Sequence, residues 1–241
     1  MKIILSPSKT QDRTPVTSQK GRNIENLEKS IFLRDWLRTL SKNELAKLMK
    51  IKNKTLDQTY QLYQTSLNKL VKKPAIHMYC GVVFGELHLD EYTVEQRDYL
   101  NQHVVILSAM YGPLTPDTII WPYRLDMTMK PQGIRLYEYW QDMIDEYFKD
   151  EIIINLASNE FSKMVKKQKH QMITIDFIEK KRHGTSKIVS VYAKQARGKM
   201  LDLIIKHQIQ QAEDIKLFCF DGYHFSEKDS SDSHYVFIRM A

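Results

Sequence analysis

The sequence predicts an α/β fold: a mixed sheet with surrounding helices and an N-terminal helical insertion spanning roughly residues 24–73. Three observations carry this. Short apolar runs bounded by polar residues or glycine recur after residue 75 and read as buried strands. Helical stretches alternate with them. Before residue 75, after one opening strand, apolar residues fall at helical spacing with cap signals in front of them. No linker, repeat or low-complexity tract interrupts the chain, so residues 1–241 read as one domain.

In chain order, Lys2–Leu5 is a strand, Ser6–Thr10 a polar turn and 11–22 a long loop. Leu27, Ile31, Leu33, Trp36, Leu37 and Leu40 mark a first helix. Ser41, with Glu44 three residues on, is a capping box for a second helix that ends near Met49. Asn53 or Thr55 caps a third, running to about Val71. Ala75–Tyr79, Val104–Leu107 and Ile152–Asn155 follow as strands, with helices at 93–101, 136–148 and 158–167. Met172–Phe177 and Ile188–Tyr192 are two more strands, parted by a Lys-Lys-Arg-His-Gly turn. A helix at 194–208 precedes the last strands, Leu217–Phe220 and Tyr235–Ile238.

Composition excludes several classes. Eight glycines and seven prolines are too few for a fibrous or linker-rich protein. No apolar stretch approaches the roughly 18 residues of a membrane span, and no membrane partner is expected. The opening apolar run is too short for a signal-peptide core. Two cysteines, Cys80 and Cys219, make no disulfide framework, which points to a reducing cytoplasm. The net charge of +7 hides an asymmetry. Residues 1–75 hold 16 Lys+Arg against 6 Asp+Glu, residues 76–160 hold 5 against 14, and residues 161–241 hold 15 against 9. Basic blocks of this kind suit either a polyanionic partner or a surface that neutralises itself on folding.

Six polar clusters fall at predicted strand ends and turns, where open α/β sheets bind ligands. Ser6, Lys9 and Thr10 can surround an anion or cap a turn. Tyr111, in a loop shaped by Gly112 and two prolines, can present its hydroxyl, stack on a base or close over the core. Arg124 and Asp126 alternate in an extended segment. They either pair with each other or leave the guanidinium fork for a phosphate or carboxylate. Asn155, Ser158 and Asn159 lie where a strand passes into a helix whose free N–H groups favour anions. Lys194 and Arg197 share one helical face near a helix start, where their charge opposes the dipole unless an anion offsets it. Gly198 behind them costs about 1 kcal/mol in a helix and signals close approach by a backbone or a ligand. Asp221, in a D-G turn, can reach Lys194 or Arg197. Separately, Lys47, Lys50, Lys52 and Lys54 decorate a tight turn between two helices, a shape that can lay amides and lysines on a phosphate run.

The phosphate loop, the dinucleotide turn, C-x-x-C, H-E-x-x-H and the nucleophile elbow are all absent. His77 and Cys80 would face opposite sides of a predicted strand. No cofactor and no metal site are predicted, and no catalytic residue is assigned.

Five segments in order resemble the YaaA-like peroxide-stress family. They are Leu5-Ser6-Pro7-Ser8-Lys9-Thr10, Leu107-Ser108-Ala109-Met110-Tyr111-Gly112, Pro122-Tyr123-Arg124-Leu125-Asp126-Met127, Ile154-Asn155-Leu156-Ala157-Ser158-Asn159-Glu160 and Tyr192-Ala193-Lys194-Gln195-Ala196-Arg197-Gly198. Phe220-Asp221-Gly222-Tyr223 and Phe237-Ile238-Arg239 close the pattern, which spans essentially the whole chain. The resemblance implies a cytoplasmic protein that helps cells survive hydrogen peroxide and is linked to lower free intracellular iron. It also implies DNA binding through a basic cleft and a helix-hairpin-helix-like element, which maps onto residues 41–64. Here the hairpin turn has no glycine, and Asn53 is the residue suited to its left-handed geometry. The expected partner is DNA, held mostly by its backbone with little sequence specificity. The alternative is an enzyme acting on a small anionic or nucleotide-like ligand in the same cleft.

Overall fold

The computed structural model describes residues 1–15, 20–180 and 186–240. Its strands are β1 (Lys2–Leu5), β2 (Lys73–Pro74), β3 (Val104–Ser108), β4 (Gly112–Leu114), β5 (Ile119–Ile120), β6 (Ile153–Asn155), β7 (Met172–Lys180), β8 (Ser186–Lys187), β9 (His224–Phe225) and β10 (His234–Met240). Its α-helices are α1 (Leu27–Thr39), α2 (Lys42–Met49), α3 (Asn53–Gln64), α4 (Ala75–Met78), α5 (Val94–His103), α6 (Leu136–Tyr139), α7 (Gln141–Tyr147), α8 (Asn159–Ser162) and α9 (Ser190–Lys206). The α/β class with a mixed sheet is as the sequence predicts, and α1–α3 form the helical insertion between β1 and β2.

The sheet runs in the order β4-β3-β1-β6-β7-β10-β9, with β8 beside β7. The pairs β3–β1, β1–β6, β6–β7 and β7–β10 are parallel; β4, β8 and β9 are antiparallel to their neighbours. All of β3 is buried, as are Ile3, Ile4 and Leu5 of β1. A parallel strand covered on both faces has to be an unbroken apolar run, which is what both segments are. From β1 the chain first adds β3 on one side, then returns to add β6 on the other. Strand order therefore reverses at β1/β6. The two loops leaving these strands diverge and open a crevice there.

Several predicted elements are corrected. Ala75–Tyr79 is not a strand: α4 buries Ala75, Ile76 and Met78 in one helical turn, while Lys73–Pro74 pairs with β5. A short apolar run satisfies either geometry, and the amides of Ala75 and Ile76 are taken by the Thr118 and Pro116 carbonyls. Ile188–Tyr192 is not a strand either. Only Ser186–Lys187 pairs with β7, α9 starts at Ser190, and Ile188, Val191 and Tyr192 are exposed. The turn placed between those two strands falls largely on 181–185, outside the described residues. Leu217 ends a 3-10 turn, 80% exposed, and Phe220 only bridges Tyr223; the strand preceding β10 is His224–Phe225.

Helix lengths also shift. The helix placed at 136–148 breaks at Trp140 into α6 and α7, and Trp140 is buried with its indole N–H donated to the Ala109 carbonyl at 3.0 Å. Gly112, at φ +71°, faces that ring: a Cβ there would lie 2.8 Å from it. The helix placed at 158–167 is only Asn159–Ser162, and the third helix stops at Gln64. The Ser41–Glu44 capping box forms as read. Neither Asn53 nor Thr55 caps α3; Lys52 occupies that position, and Asn53 takes φ 51° inside the turn.

Gly198 meets a backbone. On α9 it packs against the 3-10 turn Phe84–Glu86, where an added Cβ would lie 2.4 Å from the Val83 carbonyl oxygen and 2.7 Å from Glu86 Cβ. Gly198→Ala gains about 1 kcal/mol of helix propensity and loses about 1–3 kcal/mol to overpacking. A lower urea midpoint is expected; an unchanged or raised midpoint would contradict this packing.

The segment leaving the crevice is anchored through Lys73, whose buried ammonium donates to Asp12 at 2.6 Å. That hydrogen bond, with those from Thr14, holds the Asp12 carboxyl at about 2, against an ordinary 3.8. A depressed carboxyl stabilises the fold above its unfolded pKa and loses that contribution as pH falls through the folded value. Asp12→Asn is expected to lower stability at neutral pH, by a margin that closes as pH drops from about 4 toward 2. A margin independent of pH would refute the linkage.

Candidate functional site

The crevice is joined at its floor by two serines. Ser6, just past β1, accepts the Ser158 amide at 2.8 Å and donates to the Ser158 hydroxyl at 3.0 Å. Asn155 shapes the opposing loop from behind: its Oδ1 accepts the Ala157 amide at 2.9 Å and its Nδ2 donates to Thr174 at 3.2 Å. Ser8 donates to the Cys80 carbonyl at 2.6 Å and accepts the Thr10 amide at 3.2 Å, which draws the segment after α4 over the β1 loop. Gly81 permits that closeness, since a Cβ there would sit 2.6 Å from Ser8 Oγ.

A third wall is the extended stretch 123–127. Tyr63 of α3 clamps its backbone, donating to the Arg124 carbonyl at 2.7 Å and accepting the Arg124 amide at 3.1 Å. Burial pushes the Tyr63 phenol well above its ordinary range, so it stays a neutral donor. The Tyr123 amide is held by Gln11 Oε1 at 2.9 Å, and the Met127 amide by Glu160 at 3.0 Å. Like Tyr123 and Leu125, Arg124 and Asp126 both reach the cleft. They do not pair with each other: Asp126 takes Lys9 at 2.7 Å. The fourth wall is α9, which presents Lys194 and Arg197 one turn apart.

The cleft has a volume of about 520 Å³. Lys9, Arg124, Lys194 and Arg197 bring four cations to it, and Asp126 and Glu160 two carboxylates. Among the described residues neither Arg124 nor Lys194 has an ion-pair partner, and Arg197 reaches Asp176 only at 4.0 Å. Asp176 is itself engaged by His234 at 2.9 Å. The Nε atoms of Arg124 and Arg197 are buried and make no hydrogen bond. Burial lowers the pKa of the Arg197 guanidinium, offset in part by Asp176, yet the group remains charged. Buried donors without acceptors are rare because each forfeits its hydration. Two of them lie beside one hollow, Arg124 with no ion-pair partner among the described residues and Arg197 with Asp176 only at 4.0 Å. Val82, Val83, Phe84, Leu125, Leu156 and Phe161 give the lining an apolar part, and Ser6, Ser8, Thr10, Gln11 and Ser158 add neutral polar groups.

Ser6, Lys9, Thr10, Arg124, Asp126, Ser158, Lys194 and Arg197, all singled out in the sequence, line this one cleft. Tyr111 does not: it is buried and donates to the Trp121 carbonyl at 2.8 Å. Asn155 stands one layer behind, and Asn159 opens α8 without lining the cleft. Asp221 pairs with Lys199 instead of Lys194 or Arg197. Lys47, Lys50, Lys52 and Lys54 are exposed at the α2–α3 turn, where Lys50 adopts the left-handed conformation at φ 52°. The turn lies about 15 Å along α3 from the Tyr63 clamp, at about 1.5 Å per residue. Sequence reasoning missed Gln11, Glu160, Phe161 and the 81–84 wall. The wall had a signal in Gly81 and Gly85 flanking Val82-Val83-Phe84. Among the described residues no group of three or more His, Cys, Asp or Glu is placed to hold a metal ion.

The family described as peroxide stress protein YaaA matches residues 1–229. Three relatives are similar along essentially their entire lengths. A UPF0246 protein of Fusobacterium nucleatum is 39% identical, covering 99% of each chain. One from Agathobacter rectalis is 37% identical with the same coverage. One from Rickettsia felis is 35% identical over 99% of this chain and 100% of its own.

An unsatisfied cation should hold back the stability of the empty protein. Arg197→Met, which keeps the stem and removes the charge, is expected to leave the ligand-free unfolding midpoint unchanged or raise stability by about 0.5–1 kcal/mol. A loss of about 3–5 kcal/mol would instead mark Arg197 as half of a structural pair with Asp176.

Proposed function

The chain belongs to the peroxide stress protein YaaA family and so has a role in oxidative stress, and from that premise we propose that it acts by binding DNA. The supporting observation is the convergence of Lys9, Arg124, Lys194 and Arg197, from three distant stretches of chain, on one cleft with two unpartnered guanidinium Nε atoms. On this reading Lys47, Lys50, Lys52 and Lys54 at the α2–α3 hairpin contact phosphates of the duplex, and the cleft cations hold the backbone beside it. No base-reading helix is invoked, so affinity is electrostatic and nearly independent of sequence. A cytoplasmic location and a link to lower free intracellular iron belong to the same reading, through the family resemblance. No helix among the described residues is long and apolar enough to cross a membrane. One observation favours a second reading, an enzyme acting on a small anionic substrate: the cleft has the volume of a single-ligand pocket.

Duplex affinity measured by fluorescence anisotropy across a salt series tests the reading. Binding is expected to weaken steeply with salt. Replacing the four hairpin lysines with glutamine is expected to reduce the log–log slope by up to about 0.9 for each phosphate no longer neutralised. In peroxide-survival assays the same variant is expected to protect cells less than the parent. Undetectable or salt-independent duplex binding would reject the proposal.

A further inference from the structure

We propose that the cleft is a receptor for one nucleotide unit, a phosphate with its sugar and base, either free in solution or turned out of a nucleic-acid strand. In its second form this rests on the DNA-binding reading; in its first it stands alone. At about 520 Å³ the hollow falls inside the range that holds one drug-sized ligand.

The lining has three chemistries, and a nucleotide has the same three. Arg124, Lys194 and Arg197 supply cationic donors, two of them with a buried Nε that has no acceptor. A free mononucleotide's phosphate carries about −1.5 to −2 charges and three acceptor oxygens, and a strand phosphodiester about −1 and two; either suits the two guanidinium forks. Beside the cations runs an apolar wall with Val82, Val83, Phe84 and Phe161. A site for inorganic phosphate has no use for such a wall, whereas a nucleobase has an apolar face to bury against it. The two carboxylates complete the match. Asp126 and Glu160 each hold one donor, Lys9 and the Met127 amide, and keep further lone pairs. Carboxylates repel a bare anion and accept from hydroxyls and exocyclic amines, as acidic residues do from ribose in dinucleotide sites. The position agrees, because the cleft opens at the strand-order reversal between β1 and β6.

Calorimetric titration of the full chain with the four 5′-deoxynucleoside monophosphates, deoxyadenosine and inorganic phosphate tests the proposal. At least one monophosphate is expected to bind about tenfold more tightly than either fragment. Arg197→Gln is expected to weaken it by about tenfold or more. Val82→Trp, at an exposed position where folding is not at stake, is expected to do the same by filling the apolar end. The variant lacking the four hairpin lysines should lose duplex affinity and keep the mononucleotide, which separates the two readings. A 2-aminopurine placed at a mismatch distinguishes the sources: brighter fluorescence on binding marks an extruded unit, and an unchanged signal alongside mononucleotide binding marks the free nucleotide. The proposal is overturned if phosphate alone binds as tightly as the nucleotides, or if duplex-binding protein takes up no mononucleotide.

Discussion

The hydrogen bond from the Ser158 amide to Ser6 Oγ is the constraint on which the cleft depends. It spans 152 residues of sequence and closes the floor of the crevice where strand order reverses. Parallel pairing of β1 with β6, Ile4 opposite Asn155, brings the two strand ends level, so the loop residues just beyond them can meet. Two of the other walls are fastened to this floor. Ser8 draws in the 80–84 segment, Lys9 takes Asp126, and Glu160 takes the Met127 amide. Three long-range polar contacts thus convert a generic sheet feature into a hollow with fixed sides.

Charge is distributed in that hollow unevenly. Lys9 is neutralised by Asp126 within hydrogen-bond distance, while Arg197 has its carboxylate at 4.0 Å and shares it with a histidine. Pairing costs side-chain entropy and yields little at the surface, so Lys9 mainly positions a wall. An unpaired, partly desolvated guanidinium is a different object. It holds its charge against a hydration deficit that Asp176, at 4.0 Å from Arg197, offsets only in part. The Tyr63 clamp adds rigidity at Arg124 without neutralising it, because the phenol bonds the backbone and not the guanidinium. Rigid, under-compensated cations are what preorganised anion recognition requires.

Much of this is legible in the sequence, for reasons that differ by residue. Ser6, Lys9, Ser158, Lys194 and Arg197 stand just past strands or at a helix start, where strand-end logic reaches them without coordinates, and Arg124 is reached through its guanidinium in an extended segment. The capping box of α2 is a local motif and is equally readable. What escapes is non-local. Ala75–Tyr79 and Leu217–Phe220 are short apolar stretches whose state is set by neighbours distant in sequence, not by their own period. Trp140 breaks a helix that periodicity runs straight through, because its indole is fixed by Ala109 and Gly112. The partner of Asp126 escapes for a related reason: a two-residue spacing suggests Arg124, and only the folded loop after β1 supplies Lys9. Glu160 is invisible as a site residue because a glutamate at a helix start is already explained by the dipole.

The charge map and the cleft answer each other in a way the blocks alone do not. If the basic and acidic blocks merely cancelled, the cations of the cleft would each carry a carboxylate from residues 76–160. That block does supply Asp126 to Lys9, but it also supplies Arg124, one of its five basic residues, and it leaves Lys194 with no ion-pair partner among the described residues. Meanwhile the acidic block spends much of itself elsewhere: Asp145 on Lys169 and His170, Glu91 on Lys206, Asp117 on Arg22. Neutralisation is therefore selective. Charges that hold elements together are matched within the chain, while those at the reversal of strand order are left under-matched and placed beside apolar surface. Exposed lysines such as Lys47, Lys50, Lys52 and Lys54 also have no ion-pair partner among the described residues, but water solvates them; the cleft cations differ in lying beside apolar surface.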